Sequence, residues 1–237
     1  MSTYILVHGA WHGGWCWHKV VARLERLGHR VLAPDLPGHG IDITPPGQTT
    51  LEILTQRICA AIDAEAEPVI LVGHSYGGTI ITQAAEWRAE KIRRLVYLTA
   101  FVPQNGQSTR ELGGGDADTR LNAEMEVDAA AGILNVRPSA LRHVFYARCP
   151  DEDVALARAL LVPEGLAGVG TPVATTAENW GRLPRHYIAC TEDQAIGIAR
   201  QRSMAEAGGC RIVASLETDH SPFFSTPDEL TAVLAAD

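Results

Sequence analysis

The sequence predicts an α/β fold: a mostly parallel central sheet flanked by helices, with a cap inserted into it. Three observations predict this. Short β-branched apolar runs alternate with helix-period segments along most of the 237 residues, as right-handed βαβ crossovers require. One such run, residues 68–72, enters Gly73-His74-Ser75-Tyr76-Gly77-Gly78 and leaves as an apolar helix, so a serine stands at the tip of a strand-turn-helix. The alternation breaks down after about residue 103 and resumes near residue 187. Residues 1–102 and 184–237 are therefore read as one core, and residues 103–183 as a cap subdomain built into it.

The elements follow in order. Residues 4–7 form a buried-type strand, and His8-Gly9-Ala10-Trp11-His12-Gly13-Gly14-Trp15 is the turn after it. Residues 15–27 have helical spacing (Trp17, Val20, Val21, Leu24, Leu27) and stop at Gly28, a good residue for ending a helix. Residues 30–34 are the next strand. It runs into Asp35-Leu36-Pro37-Gly38-His39-Gly40, where Asp35 is expected to bind turn amides rather than act in chemistry. Residues 49–64 read as an amphipathic helix capped by Thr49 or Thr50. A further strand spans 94–100, and the basic cluster Lys91-Ile92-Arg93-Arg94 before it is expected at a helix end. In the cap, Gly113-Gly114-Gly115 reads as flexible, 140–146 and 151–161 as helical, and 166–174 as interrupted by glycine and proline. The sheet resumes at 187–190, a helix spans 196–207, the last strand is 211–216, and a final helix opens at Thr226-Pro227.

Composition excludes several classes. A net charge of −8 and the lack of a basic stripe argue against nucleic acid. Between residues 103 and 184 eleven acidic residues face seven arginines, which disfavours a highly anionic substrate unless an arginine acts locally. Cys16, Cys59, Cys149, Cys190 and Cys210 are odd in number and lack zinc spacing, so reduced thiols and a cytoplasmic location are expected. The first residues enter a strand without a leader pattern, and no apolar run is long enough to span a membrane. Neither a metal nor a cofactor is expected. A small ester is the anticipated partner, with no nucleic acid or membrane, and homodimer formation is left open.

The chemistry rests on Ser75. A Gly-x-Ser-x-Gly turn between a buried strand and a helix is a nucleophile elbow, in which a serine projects above the sheet. An acid after a late strand and a histidine after the last strand would complete a triad in the order serine, acid, histidine. His220 lies in such a loop and is the expected base. Asp193 is the expected acid, and Glu192 and Asp219 are its rivals. Asp219 adjoins His220, and neighbouring loop side chains usually diverge. The backbone N–H groups of Ala10 and Tyr76 are placed to form the oxyanion hole, each worth about 3–4 kcal/mol in the transition state. Gly9, Trp11, Phe101, Trp180, Ser221 and Phe223 are taken as substrate-pocket candidates, with Tyr76 and Phe224 beside them. Core packing is the competing reading for each aromatic.

The stretches 7–15, 73–78, Tyr187-Ile188-Ala189-Cys190-Thr191-Glu192-Asp193 and Asp219-His220-Ser221-Pro222 together resemble the hydroxynitrile lyase and methylesterase branch of the α/β-hydrolases. That branch includes plant methyl salicylate and methyl jasmonate esterases and bacterial relatives acting on pyrethroid-type esters. The resemblance covers nearly the whole chain and implies Ser75, Asp193 and His220 as the triad. The lyases carry a threonine, a glutamate and a lysine where this chain has Gly9, His74 and Ser221. A serine cannot balance the charge of cyanide as a lysine does, so a serine carboxylesterase acting on small, largely apolar esters is expected. Hydroxynitrile lyase activity and a non-catalytic small-ligand receptor are the alternatives.

Overall fold

In the computed structural model, which describes residues 1–236, the chain opens with β1 (Thr3–Val7), passes a 3-10 turn (Gly14–Trp17) into α1 (His18–Arg26), and returns as β2 (Arg30–Leu32). Next come α2 (Leu51–Asp63), β3 (Val69–His74), α3 (Gly77–Trp87) and β4 (Ile92–Leu98). Then follow α4 (Thr109–Gly114), β5 (Met125–Asp128), β6 (Ile133–Val136), α5 (Leu141–Phe145), α6 (Asp151–Leu160), β7 (Glu164–Gly165) and α7 (Leu166–Gly170). The chain closes with β8 (Arg185–Cys190), α8 (Ile198–Ala207), β9 (Arg211–Leu216), α9 (Pro222–Ser225) and α10 (Pro227–Ala235).

Six strands form one sheet in the order β2-β1-β3-β4-β8-β9, every pairing parallel. Burial grades across it: β3 is buried along its whole length, whereas the edge strands β2 and β9 are partly exposed. That is why 69–72 is a continuous apolar run, as a strand covered on both faces must be. Chain order reverses beside β1, which has β2 on one side and β3 on the other. In open parallel sheets that switch point is where a ligand finds a crevice at the strands' carboxyl ends. A separate antiparallel sheet, β5-β6-β7, belongs to the segment inserted between β4 and β8. Among the described residues no helix is long and apolar enough to cross a membrane.

Local chemistry explains the element ends. Gly28 adopts φ +83° after α1, a conformation that only glycine takes without cost. Thr50 caps α2 by accepting the N–H of Ile53 at 3.3 Å. Two regions differ from the sequence expectation. Gly113 and Gly114 end a helix rather than a flexible run, because Ser108 and Glu111 form a capping box that nucleates α4. The cluster at 91–94 runs from a 3-10 turn into β4 instead of ending a helix of its own. The end it serves is that of α2, where Lys91 donates to the Asp63 carbonyl at 3.1 Å.

Four buried histidines join these parts in two protonation states. His8 sets Nδ1 against the Gly9 carbonyl at 2.8 Å and accepts the Leu36 N–H at Nε2. His12 donates to the Ala10 carbonyl at 2.8 Å and accepts the Tyr146 hydroxyl at 2.7 Å. His74 donates Nε2–H to the His220 carbonyl at 2.8 Å, and its Nδ1 is buried without a partner. Each ring has one proton to give, so each is neutral. Burial pushes all three pKa values down, that of His12 to about 4. His39 differs because both ring nitrogens face acceptors, the Pro37 carbonyl at 3.0 Å and the Glu164 carboxylate at 3.1 Å. Burial opposes its charge, but the Glu164 carboxylate outweighs it and the pKa is raised.

The signs of these shifts give a pH dependence. For His8, His12 and His74 the unfolded chain binds protons that the fold refuses, so stability falls as pH drops below about 6.5. The His39 pair acts oppositely, contributing below about 6.5 and fading as pH rises through its raised pKa. His12 alone, with its pKa lowered to about 4, removes about 3 kcal/mol across its window. Urea denaturation of the wild type should show a clear loss of stability between about pH 6.5 and pH 4.5, and His12→Gln a shallower slope. Parallel slopes for the two proteins would contradict the neutral assignment of His12.

Candidate active site

The carboxyl ends of β1, β3, β4, β8 and β9 meet at one edge of the sheet, and backbone strain concentrates there. Among the described residues three non-glycines have positive φ: Trp11 (64°), Ser75 (52°) and Thr99 (35°). They follow β1, β3 and β4 respectively. Such conformations cost on the order of 1–3 kcal/mol each and persist only where surroundings impose them. At Ser75 the surroundings are the elbow. Its carbonyl accepts the N–H groups of Gly78 at 3.0 Å and Phe101 at 3.1 Å, and its own N–H reaches the Leu98 carbonyl. A Cβ at Gly73 would lie 2.6 Å from the Gly77 carbonyl oxygen, and one at Gly77 would lie 2.7 Å from that of His8. Helix and strand thus close on each other as only glycine permits.

Asp193, in the loop after β8, is 4% exposed and accepts four hydrogen bonds. Its Oδ1 takes the N–H groups of Ala195 at 2.6 Å and Ile196 at 2.9 Å. Its Oδ2 takes the Thr99 hydroxyl and Nδ1–H of His220, the latter at 2.6 Å. The carboxylate therefore both ties down its own loop and aims the imidazole. Because Nδ1 carries the proton towards Asp193, Nε2 of His220 is left as the basic nitrogen. The His74 tether holds the backbone of His220 against the elbow, with the two rings 4.6 Å apart between centroids. Ser75 and His220 are thus neighbours through His74.

The rival carboxylates are otherwise engaged. Asp219 turns away from the imidazole and accepts the N–H groups of Arg148 at 2.7 Å and Ser221 at 3.1 Å, with the Ser225 hydroxyl at 3.0 Å. Glu192 is ion-paired with the Arg148 side chain at the surface. Asp35 accepts from the N–H groups of Gly14 at 2.7 Å and Ile41 at 3.1 Å. Thr99 is the site residue that sequence reading missed. It stands directly after β4, and its hydroxyl donates to the Asp193 carboxylate supplied by another loop.

Ser75 opens into a cavity of about 500 Å³. Ala10, Trp11, Tyr76 and Phe101 line it from the core, and Leu134, Leu166 and Val169 from the inserted segment. The one charged side chain on its wall is Arg110. Among the described residues no acceptor takes the N–H of Ala10 or Tyr76, while the Ala10 carbonyl is held by His12. Four pocket candidates lie elsewhere. Trp180 packs beneath Arg185 and donates to the Tyr97 hydroxyl at 3.0 Å. Phe223 is fully buried behind His74, ring to ring at 5.0 Å. Ser221 is fully buried with an unpartnered hydroxyl. Gly9 lies against Ser75, where a Cβ would come within 2.8 Å of the Ser75 Cβ. Phe224, also considered beside them, packs in the core against Trp15. Phe223 and Phe224 are packing positions, because α9 turns its aromatics inward. Among the described residues no cluster of three or more His, Cys, Asp or Glu is arranged to hold a metal.

Known proteins agree with this architecture. The model of the alpha/beta hydrolase family matches residues 4–233. Methylesterase 1 of Arabidopsis thaliana is 35% identical over 245 residues, covering 96% of this chain and 92% of the relative. The carbendazim hydrolyzing esterase of Nocardioides sp. (strain SG-4G) is 34% identical over 253 residues, covering 100% and 99%. The solved structure of a pyrethroid hydrolase from Sphingobium faniae JZ-2 has a TM-score of 0.88 at 29% identity, covering 99% of this chain and 96% of that one. With its parallel sheet, its elbow and these relatives, the chain belongs to the alpha/beta hydrolase family, in the branch that holds methylesterases and pyrethroid hydrolases.

Proposed function

We propose that this enzyme is a serine carboxylesterase that hydrolyses small, largely apolar esters through an acyl-enzyme on Ser75. The observation that carries the reading is the chain of contacts from the strained Ser75, through His74, to a His220 imidazole bonded to Asp193. His220 takes the Ser75 proton as the hydroxyl oxygen attacks the ester carbonyl, and Asp193 stabilises the imidazolium. The N–H groups of Ala10 and Tyr76 receive the developing oxyanion. Collapse expels the alcohol, protonated by His220. Water, deprotonated by the same base, then releases the acid and regenerates Ser75. No metal or cofactor enters this sequence.

The cavity supports an apolar acyl group, since its wall is mainly aromatic and aliphatic. The names of the relatives, methylesterase and pyrethroid hydrolase, point to ester substrates of the same kind. Residues 103–183 would act as a cap that excludes water during acylation. Cyanohydrin cleavage lacks its cation, because Ser221 stands where the lyases carry lysine and His74 is neutral. Five free thiols, four of them buried, suit a reducing compartment and support a cytoplasmic location.

Hydrolysis of a series of methyl esters, followed by proton release, tests the reading. Ser75→Ala should lose at least about a thousandfold in kcat/KM while still binding substrate. Equal turnover by both proteins would remove serine catalysis, and tight binding without turnover by the wild type would make the protein a receptor. Thr99→Val, which keeps the shape but deletes the hydroxyl facing Asp193, should lower kcat about 10- to 100-fold with KM little changed. Thr99→Ser should recover most of that loss. Wild-type kcat in Thr99→Val would show that the carboxylate needs no help in aiming His220.

A further inference from the structure

A second cavity of about 260 Å³ adjoins the one that holds Ser75. Trp11 is the single residue that lines both. Val136, Leu141, Phe145 and Val162 also line the smaller cavity, with Arg158. Trp11 is fastened as a partition. Its indole N–H donates to the Leu134 carbonyl at 2.8 Å, its own carbonyl accepts the Val162 N–H at 3.0 Å, and its N–H faces Glu164 at 3.4 Å. The ring is 8% exposed and sits on a backbone held at φ 64°.

Of the two cavities, the larger alone is lined by Ser75. Ser75 and both candidate oxyanion donors line the larger one, so the acyl half of an ester belongs there. The leaving oxygen must instead meet His220, which supplies its proton. Phe145 packs on the His220 ring at 5.5 Å and on Trp11 at 5.7 Å. Phe145, which lines the smaller cavity, therefore joins it to the His220 ring, and Trp11 joins it to the larger one. Engineered apolar cavities of about 150 Å³ hold benzene, so this one has room for a ring-sized group.

We propose that the smaller cavity is a subsite for the alcohol half of the ester, and that Trp11 closes it, restricting the wild type to small alcohols such as methanol. The inference rests on the acyl-transfer reading above. Trp11 acts as a specificity-determining residue: its side chain divides the acyl chamber from a latent chamber for a bulky, apolar alcohol.

The test compares kcat/KM for two pairs of unactivated esters. Methyl and cyclohexylmethyl butanoate differ in the alcohol; methyl butanoate and methyl phenylacetate differ in the acid. Trp11→Ala should raise the cyclohexylmethyl-to-methyl ratio at least about tenfold, while the acid ratio moves much less. Refilling the chamber from another lining position, with Val136→Phe added to Trp11→Ala, should return the alcohol ratio towards the wild-type value. Trp11→Phe provides the same readout at smaller amplitude if the alanine variant does not fold. An unchanged alcohol ratio, or an acid ratio that moves more than the alcohol ratio, overturns the proposal. Wild-type turnover of methyl butanoate that Ser75→Ala abolishes, with no shift of ratio at Trp11, sinks the partition alone. Turnover that does not depend on Ser75 sinks the esterase reading itself.

Discussion

The structure depends on a carboxylate that is almost wholly out of water. Asp193 is 4% exposed, and a buried charge is tolerable only when every lone pair is matched. Four donors do that here, and they come from three places in the chain: two amides of its own loop, the Thr99 hydroxyl after β4, and Nδ1–H of His220 after β9. Satisfying the charge and aiming the imidazole are one act. The parallel order β4-β8-β9 makes this possible, since it brings the three carboxyl ends side by side.

The inserted segment is joined to the core by polar contacts that converge on the turn after β1. Tyr146 bonds His12, which holds the carbonyl of Ala10; Val162 and Glu164 hold Trp11. On the other side, Arg148 offers its backbone to Asp219 and its side chain to Glu192. The loops after β1, β8 and β9 are therefore braced by the segment that also walls the cavity. Small movements of it reach the chemistry directly. Neutral histidines suit such a junction, because each gives one hydrogen bond and can accept another without adding charge beside the nucleophile.

Much of this was legible in the sequence for physical reasons. A strand buried on both faces must read as a continuous apolar run, and a close helix-strand approach must be glycine; residues 69–78 show both. Chain order and loop position brought Asp193 and His220 forward, and the structure places them 2.6 Å apart. One carboxylate serves its own loop and the ring together, for Oδ1 binds the amides while Oδ2 binds the imidazole. What stayed hidden is what only packing decides. Nothing local tells an inward aromatic from a pocket aromatic, so Trp180 and Phe223 could not be separated from Trp11 and Phe101. Thr99 is invisible for a similar reason, because a threonine at a strand end has no signature until a carboxylate from another loop reaches it. The helix over Gly113 was hidden by its own glycines, although Ser108 and Glu111 carried the capping-box signal.

The most direct measurement is covalent trapping. A fluorophosphonate reacts only with a serine whose oxygen is made nucleophilic by a nearby base, and peptide mass analysis of the treated, folded protein names the residue. The account requires one phosphonyl group per chain, carried by Ser75. Labelling of a different residue, or none under conditions where the protein hydrolyses esters, would contradict it.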